Sequence, residues 1–285
     1  MSSLTLRSPA KLNLFLKILH KRPDGYHNLR TLFERIDLCD ELRFTSRKDG
    51  RIRIICDHPH VPTGPKNLIF RAALLLKRDF DVQEGVEIRL KKRIPVAAGL
   101  GGGSSNAATT IFGLNKLWKL SLSRDLLLRY GRVLGSDVPF FLYPWSWGVG
   151  TGRGDRIRSV NIAAKLWHIL VVPGVKMYSR EVFTALNLQL TKRNDNDTIL
   201  IRSLKKKDIP NVKSLLFNHL ETPILRIRPS LEKVRGRLRR LGVEGVAFSG
   251  SGPSVFGIVD SRQEAQRLKK ILRKRYTQVF AVRTF

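Results

Sequence analysis

An α+β fold in two domains is what the sequence predicts. A chain of 285 residues exceeds what one small core usually organises. Hydrophobic residues make up 42% of it, enough for ordinary globular cores and too much for a disordered chain. Stretches that alternate like strands are mixed with stretches of helical period, without a regular strand–helix–strand rhythm.

The elements follow in order. Residues 12–18, part of 35–44, and 52–56 alternate as strands. Residues 67–79 place Ile69, Ala72, Ala73 and Leu76 on one helical face. Residues 86–93 alternate again and run into Pro95 and a glycine-rich turn. A helix is expected over about 104–117, with Ala107, Ala108, Ile111 and Leu114 apolar, and a second over 125–134, stopped by Gly135. Residues 166–172 form an apolar strand ended by Pro173-Gly174. A helix near 230–241, strands near 246–248 and 255–259, a helix over 263–276 and a strand over 278–282 complete the chain. A boundary near 155–165 divides it into domains of 1–160 and 161–285.

Composition narrows the classes. No apolar run is long enough to cross a bilayer, and the first residues lack a charged start followed by an apolar block, so neither a membrane partner nor a secretory signal is expected. Two cysteines, Cys39 and Cys56, cannot form a disulfide framework, and a cytoplasmic location is expected. Cys56-Asp57-His58-Pro59-His60 holds metal-friendly types, but its prolines suggest a turn and no second cluster completes a site, so no metal ligand is assigned. The net charge of +30 would suit a nucleic-acid binder, whose affinity falls steeply with salt. The cations are spread along the chain, however, and those of 263–276 read as the solvated face of an amphipathic helix; no specific nucleic-acid partner is expected.

The strongest local signal is Pro95-Val96-Ala97-Ala98-Gly99-Leu100-Gly101-Gly102-Gly103-Ser104-Ser105. Four glycines in five residues allow positive φ and close backbone approach to a ligand. Ser104 or Ser105 is expected to cap the helix that follows, whose first N–H groups and dipole would face an anion. Neither the lysine of the P-loop nor the spacing of the dinucleotide fingerprint is present.

Two more segments accompany this loop: Ser8-Pro9-Ala10-Lys11-Leu12-Asn13-Leu14 near the start, and Phe248-Ser249-Gly250-Ser251-Gly252-Pro253-Ser254 near the end. Together, and in this order, the three resemble the motifs of the GHMP kinases. Asp24-Gly25-Tyr26-His27 and Gly135-Ser136-Asp137-Val138-Pro139 resemble a branch of that family whose acceptor is a cytidine diphosphate-linked methylerythritol. The resemblance spans about residues 8–256. It implies an N-terminal nucleotide-binding domain with a left-handed crossover and a ferredoxin-like C-terminal domain. It also implies ATP and Mg2+, and phosphorylation of a hydroxyl on this small molecule in the non-mevalonate isoprenoid pathway.

The resemblance further implies roles. Asp137 would be the base for the attacking hydroxyl and Lys11 its partner; the bland readings are a turn cap and a surface lysine. Pro95 to Ser105 would hold ATP phosphates, with Asn67 and Lys92 near the adenosine. Tyr26 would stack on the cytosine and His27 would bond its edge. Phe183 would close the other side, a core aromatic on a helix being its alternative. Asn13 would contact a substrate hydroxyl, and Gly250, Ser251 and Gly252 would line the substrate. The segment from Gly148 to Asp155 fits the family's glycine-rich turn loosely, with Asp155 where glutamate is more usual, and is expected to stay out of the chemistry.

Overall fold

The computed structural model describes residues 2–187 and 196–285. Its contacts form two compact units that interleave along the chain. The first comprises residues 1–10, 38–96 and 101–144; the second comprises 11–37, 97–100 and 145–285. Two long strands, β1 (Ser3–Lys21) and β2 (His27–Arg47), contribute residues to both.

Both strands exceed the expected 12–18 and 35–44. A turn at Asp24-Gly25 joins them, with Gly25 at φ +82° and the Arg22 N–H donating to the Tyr26 carbonyl at 2.8 Å. Lysines and arginines near the strand ends hid the alternation there, because an exposed strand end tolerates any polar residue.

In the first unit, β2 pairs antiparallel with β4 (Gly85–Lys91), from Glu41 opposite Lys91 to Arg47 opposite Gly85. β3 (Ile52–Cys56) pairs parallel with β4, joined to it through α1 (Leu68–Asp79). The Asn67 side chain caps α1, accepting from the Ile69 N–H at 2.8 Å. α1 packs on α2 (Gly102–Leu117), and α3 (Arg124–Leu134) and the short α4 (Val138–Phe141) pack on α2 in turn. Gly113 of α2 has no room for a side chain, because a Cβ there would press on the Phe44 ring of β2.

In the second unit, β2 pairs with β5 (Trp147–Thr151), which forms a hairpin with β6 (Arg156–Ser159). β1 pairs parallel with the two-residue β8 (Phe217–Asn218). A separate antiparallel sheet runs β11–β7–β10–β9, built from β7 (Trp167–Val172), β9 (Val246–Phe248), β10 (Val255–Val259) and β11 (Gln278–Arg283). Counted in chain order, these strands lie fourth, first, third, second, the ferredoxin-like arrangement. α9 (Leu231–Arg240) and α10 (Arg262–Leu272) bury Leu231, Val234, Leu238, Ala265, Leu268 and Leu272 in the core formed by Ile169, Val171, Phe248 and Val255. Most of their cations face outward, as the amphipathic pattern requires, whereas Arg235 is largely covered and ion-paired with Glu221 and Glu232. Between β7 and α9 lie the short helices α5 (Ser179–Thr184), α6 (Asn196–Lys206), α7 (Ile209–Ser214) and α8 (Glu221–Ile227). Among the described residues, no helix is long and apolar enough to cross a membrane.

Candidate active site

Within the first unit the glycine loop opens α2 differently from expectation. The N-cap is Gly101, in the left-handed region at φ 68°, and Ser104 and Ser105 lie inside the helix. A left-handed cap is accessible to glycine without strain, so the glycine cluster puts the cap at Gly101, three residues before Ser104. The first bonded amide is Ser105 N, donating to the Gly101 carbonyl at 2.8 Å; the amides before it are those a helix start leaves without a partner in the helix. No acidic side chain occupies the first turn, which keeps the dipole's positive end available to an anion.

Lys92 stands beside this helix start. Its Nζ would lie 3.0 Å from a Cβ placed on Gly102, and it is ion-paired with Asp40, both side chains buried. The Asp40 carboxylate also accepts from the Arg93 and Ile94 amides at 2.7 and 2.8 Å. Asp40 was not singled out by the sequence reading, because its three partners lie about fifty residues away. Ser8 of the first motif meets the second: its hydroxyl reaches Ser105 Oγ and Asn106 Oδ1, each at 2.8 Å. Asn67 is occupied by its cap and by donating to the Pro62 carbonyl at 2.6 Å. Pro95, Val96 and Gly103 complete this unit's part of the loop. Asp137 is half-buried at the N-cap position of α4, and its side chain makes no capping hydrogen bond, so the turn-cap reading does not describe it.

Within the second unit, Ala97–Leu100 packs on the C-terminal glycine segment. The Ser249 hydroxyl donates to the Gly99 carbonyl at 3.0 Å and the Ser254 hydroxyl to the Ala98 carbonyl at 2.5 Å. Gly99, at φ +74°, has the Ser249 carbonyl pressed against it and the Gly252 carbonyl 2.9 Å from where a Cβ would sit. The Leu100 carbonyl accepts from the Lys11 N–H at 2.9 Å. Lys11 is only 3% exposed, which excludes the surface-lysine reading. Its Nζ donates to Asn13 Oδ1 at 2.5 Å, and Asn13 Nδ2 donates to Thr31 Oγ1 at 2.8 Å. Both head groups border Gly250, whose Cβ position would be 3.2 Å from Lys11 Nζ and 3.3 Å from Asn13 Oδ1. Asn218 holds this segment from behind, donating to the Phe248 and Gly250 carbonyls at 3.0 and 2.7 Å. It is another residue that sequence reading missed, and no local pattern marks it. Ser251 pairs with Ser179 at 2.8 Å, while Gly252, at φ +71°, sits over Ile224 and Met177.

His27 and Tyr26 of this unit have different partners. His27 stacks on Phe183, with centroids 5.6 Å apart and planes inclined by 29°. Burial, with a smaller push from Lys21, lowers the His27 pKa below its ordinary value, so the ring is neutral at pH 7. Tyr26 is 54% exposed and lies under the Arg153 guanidinium, 5.0 Å from its ring centroid.

Known proteins resemble this chain over nearly its whole length. Residues 67–144 match the model of the GHMP kinases N terminal domain, and residues 200–278 that of the GHMP kinases C terminal domain. A 4-diphosphocytidyl-2-C-methyl-D-erythritol kinase of Exiguobacterium sibiricum is 40% identical, over 99% of this chain and 98% of its own. The kinase of the same name from Bacillus subtilis is 39% identical, over 97% and 95%. A crystal structure of a 4-(cytidine 5'-diphospho)-2C-methyl-D-erythritol kinase superposes with a TM-score of 0.85 at 33% identity, covering 98% of both chains.

Proposed function

We propose, because this chain belongs to the GHMP kinase family and within it to the 4-diphosphocytidyl-2-C-methyl-D-erythritol kinases, that it uses ATP to phosphorylate the 2-hydroxyl of that cytidylated sugar, a step of the non-mevalonate isoprenoid pathway. The observation that supports it best is the meeting of Ala97–Leu100 with Ser249–Ser254 beside the buried Lys11 and Asn13. Glycines at these positions keep side chains away from a ligand and leave backbone groups to face it.

Phosphoryl transfer needs charge neutralisation, positioning and help for the attacking hydroxyl. The amides at the start of α2 and the neighbouring Lys92 suit the first task. Bound Mg2+ would neutralise the phosphates further. Ser104, partly exposed in the first turn of α2, is the oxygen donor we assign to it, whereas Ser105 is buried and bonded to Ser8. Asp137 takes the proton of the 2-hydroxyl, and Lys11 offsets charge on the attacking oxygen. Asn13 orients a substrate hydroxyl, and the loop of Gly250, Ser251 and Gly252 lines the acceptor. Tyr26, neutral His27 and Phe183 receive the cytosine. Asn67 acts near the adenosine by fixing α1 rather than through a free amide, since both ends of its side chain are bonded.

We divide the work between residues 1–160 and 161–285, a partition supported by the two family matches falling on either side of residue 160. Cys39 and Cys56, which form no disulfide among the described residues, favour the cytoplasm. Coupled ADP release with the cytidylated methylerythritol, CMP and homoserine compared side by side tests the function. Turnover confined to the first is expected; turnover of homoserine in its place would overturn it.

A further inference from the structure

We infer that Arg153 is a positioning residue for acceptor recognition, acting through Tyr26: it covers one face of the tyrosine ring and leaves the other for the cytosine. The inference rests on the acceptor reading above. The expectation from sequence kept the Gly148–Asp155 segment out of the chemistry, and the structure places its arginine on a residue of the acceptor motif.

Three features make the contact a built one. First, the turn between β5 and β6 is fixed in shape. Gly152 and Gly154 take φ +68° and +90°, and the Gly154 amide donates to the Thr151 carbonyl at 3.1 Å. The Leu29 amide then donates to the Gly152 carbonyl at 2.8 Å, which ties the turn to β2 two residues beyond His27. Second, the arginine is aimed. Asp155, 9% exposed, accepts from the Arg153 amide and from its guanidinium, both at 3.2 Å. Third, the tyrosine backbone is held from the other direction. The Tyr26 amide donates to Asp24 Oδ1 at 3.1 Å, and Asp24 is gripped by Arg22 through its Nε and Nη2. Arg22 and backbone amides thus fix where the tyrosine starts, and Arg153 fixes where its ring ends.

An exposed ring that is free to rotate loses that freedom when a base stacks on it, and a ring already held loses less. A guanidinium over an aromatic face is attracted by the ring's quadrupole, and its planar shape suits stacking better than an ammonium does. The residue therefore acts on acceptor affinity, not on the phosphoryl-transfer step and not on ATP.

The test is steady-state kinetics of the full chain with the cytidylated methylerythritol and ATP varied separately, for wild type, Arg153→Ala, Arg153→Lys, Tyr26→Ala and the double variant, each with its thermal unfolding midpoint. Arg153→Ala is expected to raise the acceptor KM about 5- to 10-fold, with kcat and the ATP KM unchanged within about twofold. Arg153→Lys should restore part of the loss, and it carries the test should the alanine variant not fold. In the Tyr26→Ala background, Arg153→Ala should have almost no further effect, since its partner is gone. An unchanged acceptor KM in Arg153→Ala overturns the inference. So does a full additional loss in the double variant, which would mean that Arg153 acts without Tyr26. If wild type itself fails to turn over the cytidylated sugar, the proposed function falls first and this inference with it.

Discussion

The Ser254 hydroxyl donates to the Ala98 carbonyl at 2.5 Å, so one serine of the C-terminal glycine segment fixes the middle of the first glycine loop. Both residues are buried. Ser254→Ala leaves that carbonyl without its donor, at a cost of about 1–3 kcal/mol. Urea unfolding should show the loss, and the KM for ATP should rise more than that for the acceptor. An unchanged unfolding midpoint would mean that water replaces the hydroxyl without penalty.

Gly102→Val should weaken ATP more than the acceptor. The Lys92 ammonium and the Ile94 methyl already stand 3.0 Å from a Cβ at this position, so a branched side chain must displace the ion-paired lysine or shift the helix start. Separate titrations of nucleotide and acceptor distinguish this from misfolding, which would weaken both equally.

Asp137→Asn should keep the fold and ATP affinity while kcat falls roughly 100- to 10,000-fold, the usual worth of general-base help. The side chain makes no cap bond to α4, so the substitution removes none. Near-normal kcat with ATP binding intact would remove Asp137 from the mechanism.

Wild type should discriminate strongly against the uridine form of the acceptor, by up to roughly 10,000-fold, because cytosine and uracil exchange donor for acceptor at two positions. Neutral His27 can offer one donor and one acceptor. His27→Ala should therefore lose mainly the preference, whereas Tyr26→Ala should weaken both forms in parallel. The readout is kcat/KM for the two forms; equal use of both by wild type contradicts the cytosine pocket.

Stability should fall as the solution is acidified below about pH 6.5. Burial lowers the His219 pKa, with Lys17 adding to the effect, and its Nδ1 accepts from the Ile18 amide at 3.1 Å. The unfolded chain takes up the proton near the ordinary histidine value, while the folded chain resists it until a lower pH. The contribution is thus fully present above the unfolded value and is lost as pH drops through the folded one. His27 is shifted in the same direction, by burial first. Unfolding midpoints from pH 8 to pH 5 should slope less in His219→Asn, whose side-chain oxygen can take the Ile18 bond without titrating.

The long regular elements were readable from sequence because period and burial agree in them: Ile69, Ala72, Ala73 and Leu76 of α1 are all buried. The two glycine segments were readable because glycine is placed by backbone need, and Ser8 to Leu14, which has no glycine, stood out only beside them. The region from Ser179 to Ile227 was not, apart from Phe183. Among the described residues its helices run 6, 11, 6 and 7 residues, short enough that packing rather than propensity forms them. The supports behind the site were equally hidden. Asp40 finds Lys92 and two amides 52 to 54 residues away, and Asn218 finds the Gly250 carbonyl 32 residues on. No window of a dozen residues contains such pairs.

Ala98 and Ser254 are separated by 156 residues. A ribosome adding about 5–20 residues per second therefore needs roughly 8–30 s after making the first glycine loop before its clamp exists. During that interval Gly99 has neither the Ser249 carbonyl to lie against nor the hydroxyl that binds its own carbonyl. A truncated or stalled nascent chain would carry the whole of α2 and still lack a shaped loop before it. Nucleotide affinity should thus appear late in translation, in a single step, as residue 254 leaves the exit tunnel.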